Sequence, residues 1–101
     1  MANTAKVLFR GAATTNTNTV LYTAPSSTST VVTNIVVTNN SSSPATFTIS
    51  LDGVVLAPTV AISGYSMTSL DIRQVLATTD TLTGGASTTS VNFHISGMEI
   101  A

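Results

Sequence analysis

Apolar and polar positions alternate with a period of two along much of this chain, most clearly between Thr30 and Leu56. The run from Thr30 to Asn39 is rich in β-branched residues and of strand length. Val31, Ile35 and Val37 fall on one face, with Val32, Asn34, Val36 and Thr38 on the other. Phe47, Ile49 and Leu51 then alternate with Thr46, Thr48 and Ser50, ahead of Asp52-Gly53 and Val54-Val55-Leu56. Successive side chains leave opposite faces of a pleat, so this period predicts strands. Asp-Gly between two such runs predicts a hairpin, because both central residues of a type I′ turn need positive φ.

The rest of the chain follows the same pattern in shorter pieces. Ala5 to Arg10 predicts a first strand, with Lys6, Leu8 and Arg10 on one face and Val7 and Phe9 on the other. Its terminal charges suit an edge, where they discourage unwanted pairing. Gly11 to Thr19 is a polar loop, Val20 to Ala24 a second strand stopped by Pro25, and Ser26 to Ser29 a turn. Asn39-Asn40-Ser41-Ser42-Ser43-Pro44 reads as a loop. Pro58 is expected to interrupt the strand that leaves the hairpin, with Thr59 to Ile62 a separate short one. Tyr65 to Ile72 alternates again, while Arg73 to Ala77 fits either a helical turn or more strand. Gly84-Gly85 is expected to break the strand begun at Thr81, and Thr88 to Ile95 forms the last one, continued by Met98 to Ile100. Gly97 suits a bulge or a close backbone approach. Seven to eight short strands at this spacing, without a helix, predict an all-β fold. The architecture expected is a single antiparallel β-sandwich, in jelly-roll or immunoglobulin-like order.

Length makes this one domain, residues 1–101, with residues 1–19 as an N-terminal arm and loop. Size scaling gives roughly 5,400 Å² of folded surface, about 64% of the unfolded surface being buried. Only seven of the 101 residues are Asp, Glu, Lys or Arg, and the net charge is −1. No basic footprint for nucleic acid is present. The N-terminal residues lack the apolar core of a signal peptide, and no apolar run is long enough to cross a bilayer. The expectation is a soluble protein made in the cytoplasm. Twenty threonines and thirteen serines dominate the polar positions. A surface of hydroxyls and amides with little charge favours association, which suits a protein packed against copies of itself or a partner.

Catalytic chemistry finds little to work with. There is no cysteine and one histidine, His94, opposite the Val91/Phe93/Ile95 face, where it meets solvent or an interface. Asp71 or Asp80 with His94 and any serine could be written as a triad, but with thirteen serines that pairing has no specificity. The four carboxylates are too scattered for a glycosidase pair or a calcium loop. Gly84-Gly85 lacks the Lys-Ser/Thr of a phosphate-binding loop. No cofactor and no enzymatic activity are expected. A sugar-binding module is the better competitor among small-molecule readings, although tryptophan is absent.

Leu21-Tyr22-Thr23-Ala24-Pro25, Val32 to Asn39, Ala45 to Gly53 and the terminal Ser96-Gly97-Met98-Glu99-Ile100 together resemble small virion structural proteins of tailed bacteriophages. The order of segments carries the resemblance, which covers most of the chain from Val20 on. Ser26-Ser27-Thr28 stands where similar chains commonly have a glycine turn. The resemblance implies a virion protein, a capsid cement (decoration) protein or a tail or neck component, with the major capsid protein and sister subunits of a homotrimer as partners. It brings no catalytic residues. Lys6, Leu8, Phe9 and Arg10 on the arm, with His94, are the expected partner contacts: an added edge strand, or Leu8 or Phe9 seated in a pocket.

Overall fold

Alternation at every second residue lets each strand bury one face, and two such sheets stacked face to face share one core. The computed structural model describes residues 3–101. Its strands are β1 (Asn3–Ala12), β2 (Val20–Thr23), β3 (Ser29–Asn39), β4 (Ala45–Leu51), β5 (Val54–Ile62), β6 (Met67–Leu76), β7 (Thr81–Ala86) and β8 (Val91–Ile100). They form two four-stranded sheets in the orders β1-β8-β3-β6 and β2-β7-β4-β5. Every pairing is antiparallel. Of the two connectivities open to the sequence, this order is the jelly roll. The accessible surface of 5267 Å² is close to what the chain length dictates.

The core lies between the sheets. Phe47 from β4 meets Phe93 from β8 edge to face, ring centroids 6.3 Å apart. Ile35, Val37 and Ile95 from one sheet and Ile49, Leu82 and Ile62 from the other are buried around them. The Asp52-Gly53 turn forms as expected, with φ of 51° and 77°, and Leu51 pairs with Val54 across it.

Pairing alters three features of the expected layout and settles a fourth, the state of Arg73 to Leu76. β3 does not keep one phase: Val32, not Val31, is buried with Ile35 and Val37. The register shifts between Val32 and Asn34 against both neighbours, so Thr33 is a bulge that swaps the faces on either side of it. β5 runs unbroken through Pro58, because it is the edge strand of its sheet and the proline sits at a register shift. There Thr59 takes φ 40° and its N–H donates to Thr48 Oγ1 at 3.0 Å. Arg73 to Leu76 continue β6 as strand. β7 passes through Gly84-Gly85 without a break. A Cβ on Gly84 would come within 2.8 Å of Ile49 Cδ1, and one on Gly85 within 2.5 Å of the Asn16 carbonyl, so these glycines permit close packing of a central strand.

The first strand also departs from simple alternation. β1 pairs with β8 from Asn3↔Ile100 to Ala12↔Asn92, which places it at the edge, as its charges predict. The register shifts between Val7 and Phe9, leaving Leu8 as an extra residue turned into the core, 7% exposed. Phe9 packs against the core as well, whereas Val7 is 47% exposed. Leu8 is therefore a core residue of this chain, not a side chain free to enter a partner's pocket, and Phe9 is half-buried against that core. The section of the expected arm that is exposed throughout is Asn3–Val7. Residues 1 and 2, where that arm begins, lie outside the described residues.

Candidate interaction surface

Directly paired residues in a sheet point to the same side, so the registers place every side chain on the outer face of β1-β8-β3-β6. Four rows cross it. Ala12, Asn92, Thr38 and Met67 form the first, and Arg10, His94, Val36 and Ser69 the second. Val7, Ser96, Asn34 and Asp71 form the third, and Ala5, Met98, Val31 and Val75 the fourth. The bulges at Leu8, Thr33 and Ile72-Arg73 all fall beside the third row. A groove lined by residues of β1, β3 and β8, Lys6 among them, lies beside that row.

This face is rich in exposed apolar groups and carries Arg10 and Asp71. Met67 and Val75 are 66% and 65% exposed, and Val7 and Met98 also reach solvent. Asp71 on β6 accepts a hydrogen bond from Asn34 Nδ2 at 3.1 Å. Of the expected contact residues, Arg10 and His94 are brought together here as cross-strand partners, Arg10 exposed and His94 half-buried.

Lys6 lies on the other side of β1 and is engaged within the chain. Its Nζ is 3.2 Å from Glu99 Oε2, the same oxygen that accepts the Tyr22 hydroxyl proton at 2.5 Å. Tyr22 thereby spends its one hydrogen, so Thr30 Oγ1, 2.8 Å away, donates to the phenol oxygen. The network joins β2 of one sheet to β3, β8 and β1 of the other. The Tyr22 hydrogen bond, aided by Lys6, holds the Glu99 carboxyl below its ordinary pKa against the opposing effect of desolvation. Burial, and then the neighbouring Glu99, push the Tyr22 phenol up.

The opposite end of the sandwich carries loops. Gly64 and Tyr65 pack against Ser41 and Ser42, and Tyr65, at φ 50°, leaves its ring 75% exposed. Among the described residues no group of three or more His, Asp or Glu side chains is placed to hold a metal ion.

The sequence does not mark Val31 and Val75 as surface residues, because the Thr33 bulge moves Val31 outward and because 73–77 fits either a helical turn or a strand. The pairing of Lys6 with Glu99 was also invisible, the two being neighbours only through the β1–β8 ladder. A scan against models of protein families finds none that matches this chain, and a search of curated proteins finds no match either.

Proposed function

We propose that this chain is a structural component of a tailed-bacteriophage virion, a cement protein that binds the outer surface of the capsid head. The observation that carries the reading is the outer face of β1-β8-β3-β6, with apolar side chains standing exposed among amides and hydroxyls. Such a face is costly to leave in water and suits a permanent neighbour. The segment resemblance to virion proteins supplies the kind of neighbour. The mechanism is mass action: a protein that binds only the assembled shell stabilises it by RT ln(1 + [L]/Kd) at each site. In this reading the protein works by binding, alongside copies of itself, and catalyses nothing. Electron microscopy of the source virion with the protein labelled tests it. Label over the head is expected, and label confined to the tail or neck overturns the capsid assignment in favour of a tail component.

The exposed Tyr65 ring among the serines of the loop end favours a second reading, a glycan-binding module on the virion. Aromatic rings stack on sugar faces while hydroxyls and amides hold their hydroxyl groups. That reading requires saturable binding to a glycan array, lost in Tyr65→Ala; no binding at millimolar sugar removes it.

A further inference from the structure

We propose that the outer face of β1-β8-β3-β6 is the contact between two copies of this chain, related by a two-fold axis running parallel to the strands between β8 and β3. This goes beyond the capsid reading and gives the same face to a second copy, so that a dimer would meet the shell through its other surfaces.

The registers make the face self-complementary. Such an axis exchanges β1 with β6 and β8 with β3, and keeps each row at its own height. In the first and fourth rows it sets a larger apolar side chain over a smaller one, while in the third Val7 falls over Asp71 and Ser96 over Asn34. Met67 falls on Ala12 in the first row, and Val75 on Ala5 and Met98 on Val31 in the fourth. Arg10 falls over Ser69 of the other copy, with that copy's Asp71 one row along, about 7 Å, within reach of a guanidinium. Symmetry forms this ion pair twice.

The size is also sufficient. Four strands at about 4.8 Å spacing and ten residues at about 3.3 Å rise give a face of about 600 Å² in projection. The accessible area of a pleated, side-chain-bearing face exceeds its projection, which brings it near the ~800 Å² per partner of a standard interface. Two sheet faces meeting with their strands nearly aligned is one of the two common ways in which β-sheets pack.

One kind of head-to-tail trimer, the stoichiometry the resemblance implies, would form by strand addition, β1 of one copy to β6 of the next. Both edges are built against that. β1 is bent at Leu8 and carries Lys6 and Arg10, and β6 is bent at Ile72-Arg73 and carries Asp71 and Arg73. Bulges and charges at an edge oppose strand addition.

Sedimentation equilibrium of the full chain, from about 1 to 100 µM, a range spanning weak to stable association, tests the proposal. The expected mass is twice 10.3 kDa. Val75→Lys with Met98→Lys, checked for folding by circular dichroism, is expected to raise the dissociation constant by about 100-fold or more, since four unpaired ammonium groups enter an apolar contact. Arg10→Asp is expected to raise it about tenfold, and Arg10→Asp combined with Asp71→Arg to recover most of the loss. That charge exchange involves exposed residues and stays decisive if the lysine variant fails to fold. A monomeric wild type at the highest concentration, a trimer, or charge variants that dimerise as the wild type does would each overturn the proposal.

Discussion

Asn39 ends β3 with its side chain buried, and its amide serves three loops at once. Nδ2 donates to the carbonyls of Ser43 at 2.8 Å and Ser63 at 3.4 Å, while Oδ1 accepts from Ser41 N and Ser90 Oγ, both at 3.1 Å. All four hydrogen-bonding sites of the amide are filled. Asn39→Ala is therefore expected to cost about 2–4 kcal/mol, visible as a lower urea midpoint, because buried partners lose their bonds. In the sequence, Asn39-Asn40-Ser41 reads only as part of a polar loop; nothing local distinguishes an amide that points inward. The Tyr22–Glu99 pair sets expectations at both ends of the pH scale. Glu99 is held below its unfolded pKa, so its contribution is complete above about pH 4.5 and is lost as pH falls through the folded value. Tyr22 is held above 10, so its contribution is lost as pH rises from about 10 toward the folded value. Thermal melts of the wild type against Glu99→Gln should show the acid limb shallower in the variant, which has no carboxylate to protonate there. Equal acid limbs would exclude Glu99 from the acid response.

At the scale of elements, strand existence was legible and strand phase was not. The alternation of Phe47, Ile49 and Leu51, and of Val91, Phe93 and Ile95, gave the inward faces of β4 and β8 correctly, and Asp52-Gly53 gave the hairpin. The faces of β1 and β3 failed because each carries one residue more than its partner strand, an excess that arises only on pairing. The two glycines of β7 and the proline of β5 misled for a related reason. Whether such a residue breaks a strand depends on its neighbours and on its place at an edge or centre. The exposed part of the candidate surface depended on the same phases and so stayed hidden. β1 itself now divides into two functional lengths. Deleting residues 1–7 removes the Lys6–Glu99 bridge and exposed strand but spares the core, and a folded domain is expected. Deleting residues 1–10 also takes Leu8 and Phe9 out of the core. Losses of about 2–5 kcal/mol for a buried leucine are a large part of a total stability of about 5–10 kcal/mol. Circular dichroism melts should separate the two truncations by well over 10 °C, given about 4–8 °C per kcal/mol at this size; similar melts would mean that Leu8 and Phe9 contribute little.

For the whole molecule, composition and strand spacing made the all-β sandwich readable, but the choice of jelly roll rests on which distant strands pair, and no local pattern encodes that. The same non-local pairing sets the folding rate. β1 must find β8, and β3 must find both β8 and β6, so contacts that define the sheet come late and carry a large loop-closure cost. Stopped-flow refolding is expected in the range of about 10 milliseconds to seconds, as for other sandwiches rich in non-local pairs; microsecond folding would contradict this order of events. The pairing of Asn3 with Ile100 has a further consequence. Polypeptide joined ahead of Asn3 or behind Ile100 leaves the sandwich from one pole, on the side away from Asn39 and the serine loops. A fluorescent donor at one terminus and an acceptor at the other would thus sit within a few nanometres in every folded molecule. They would move apart as soon as the chain unfolds, and their energy transfer would follow the integrity of the sandwich wherever the protein is bound.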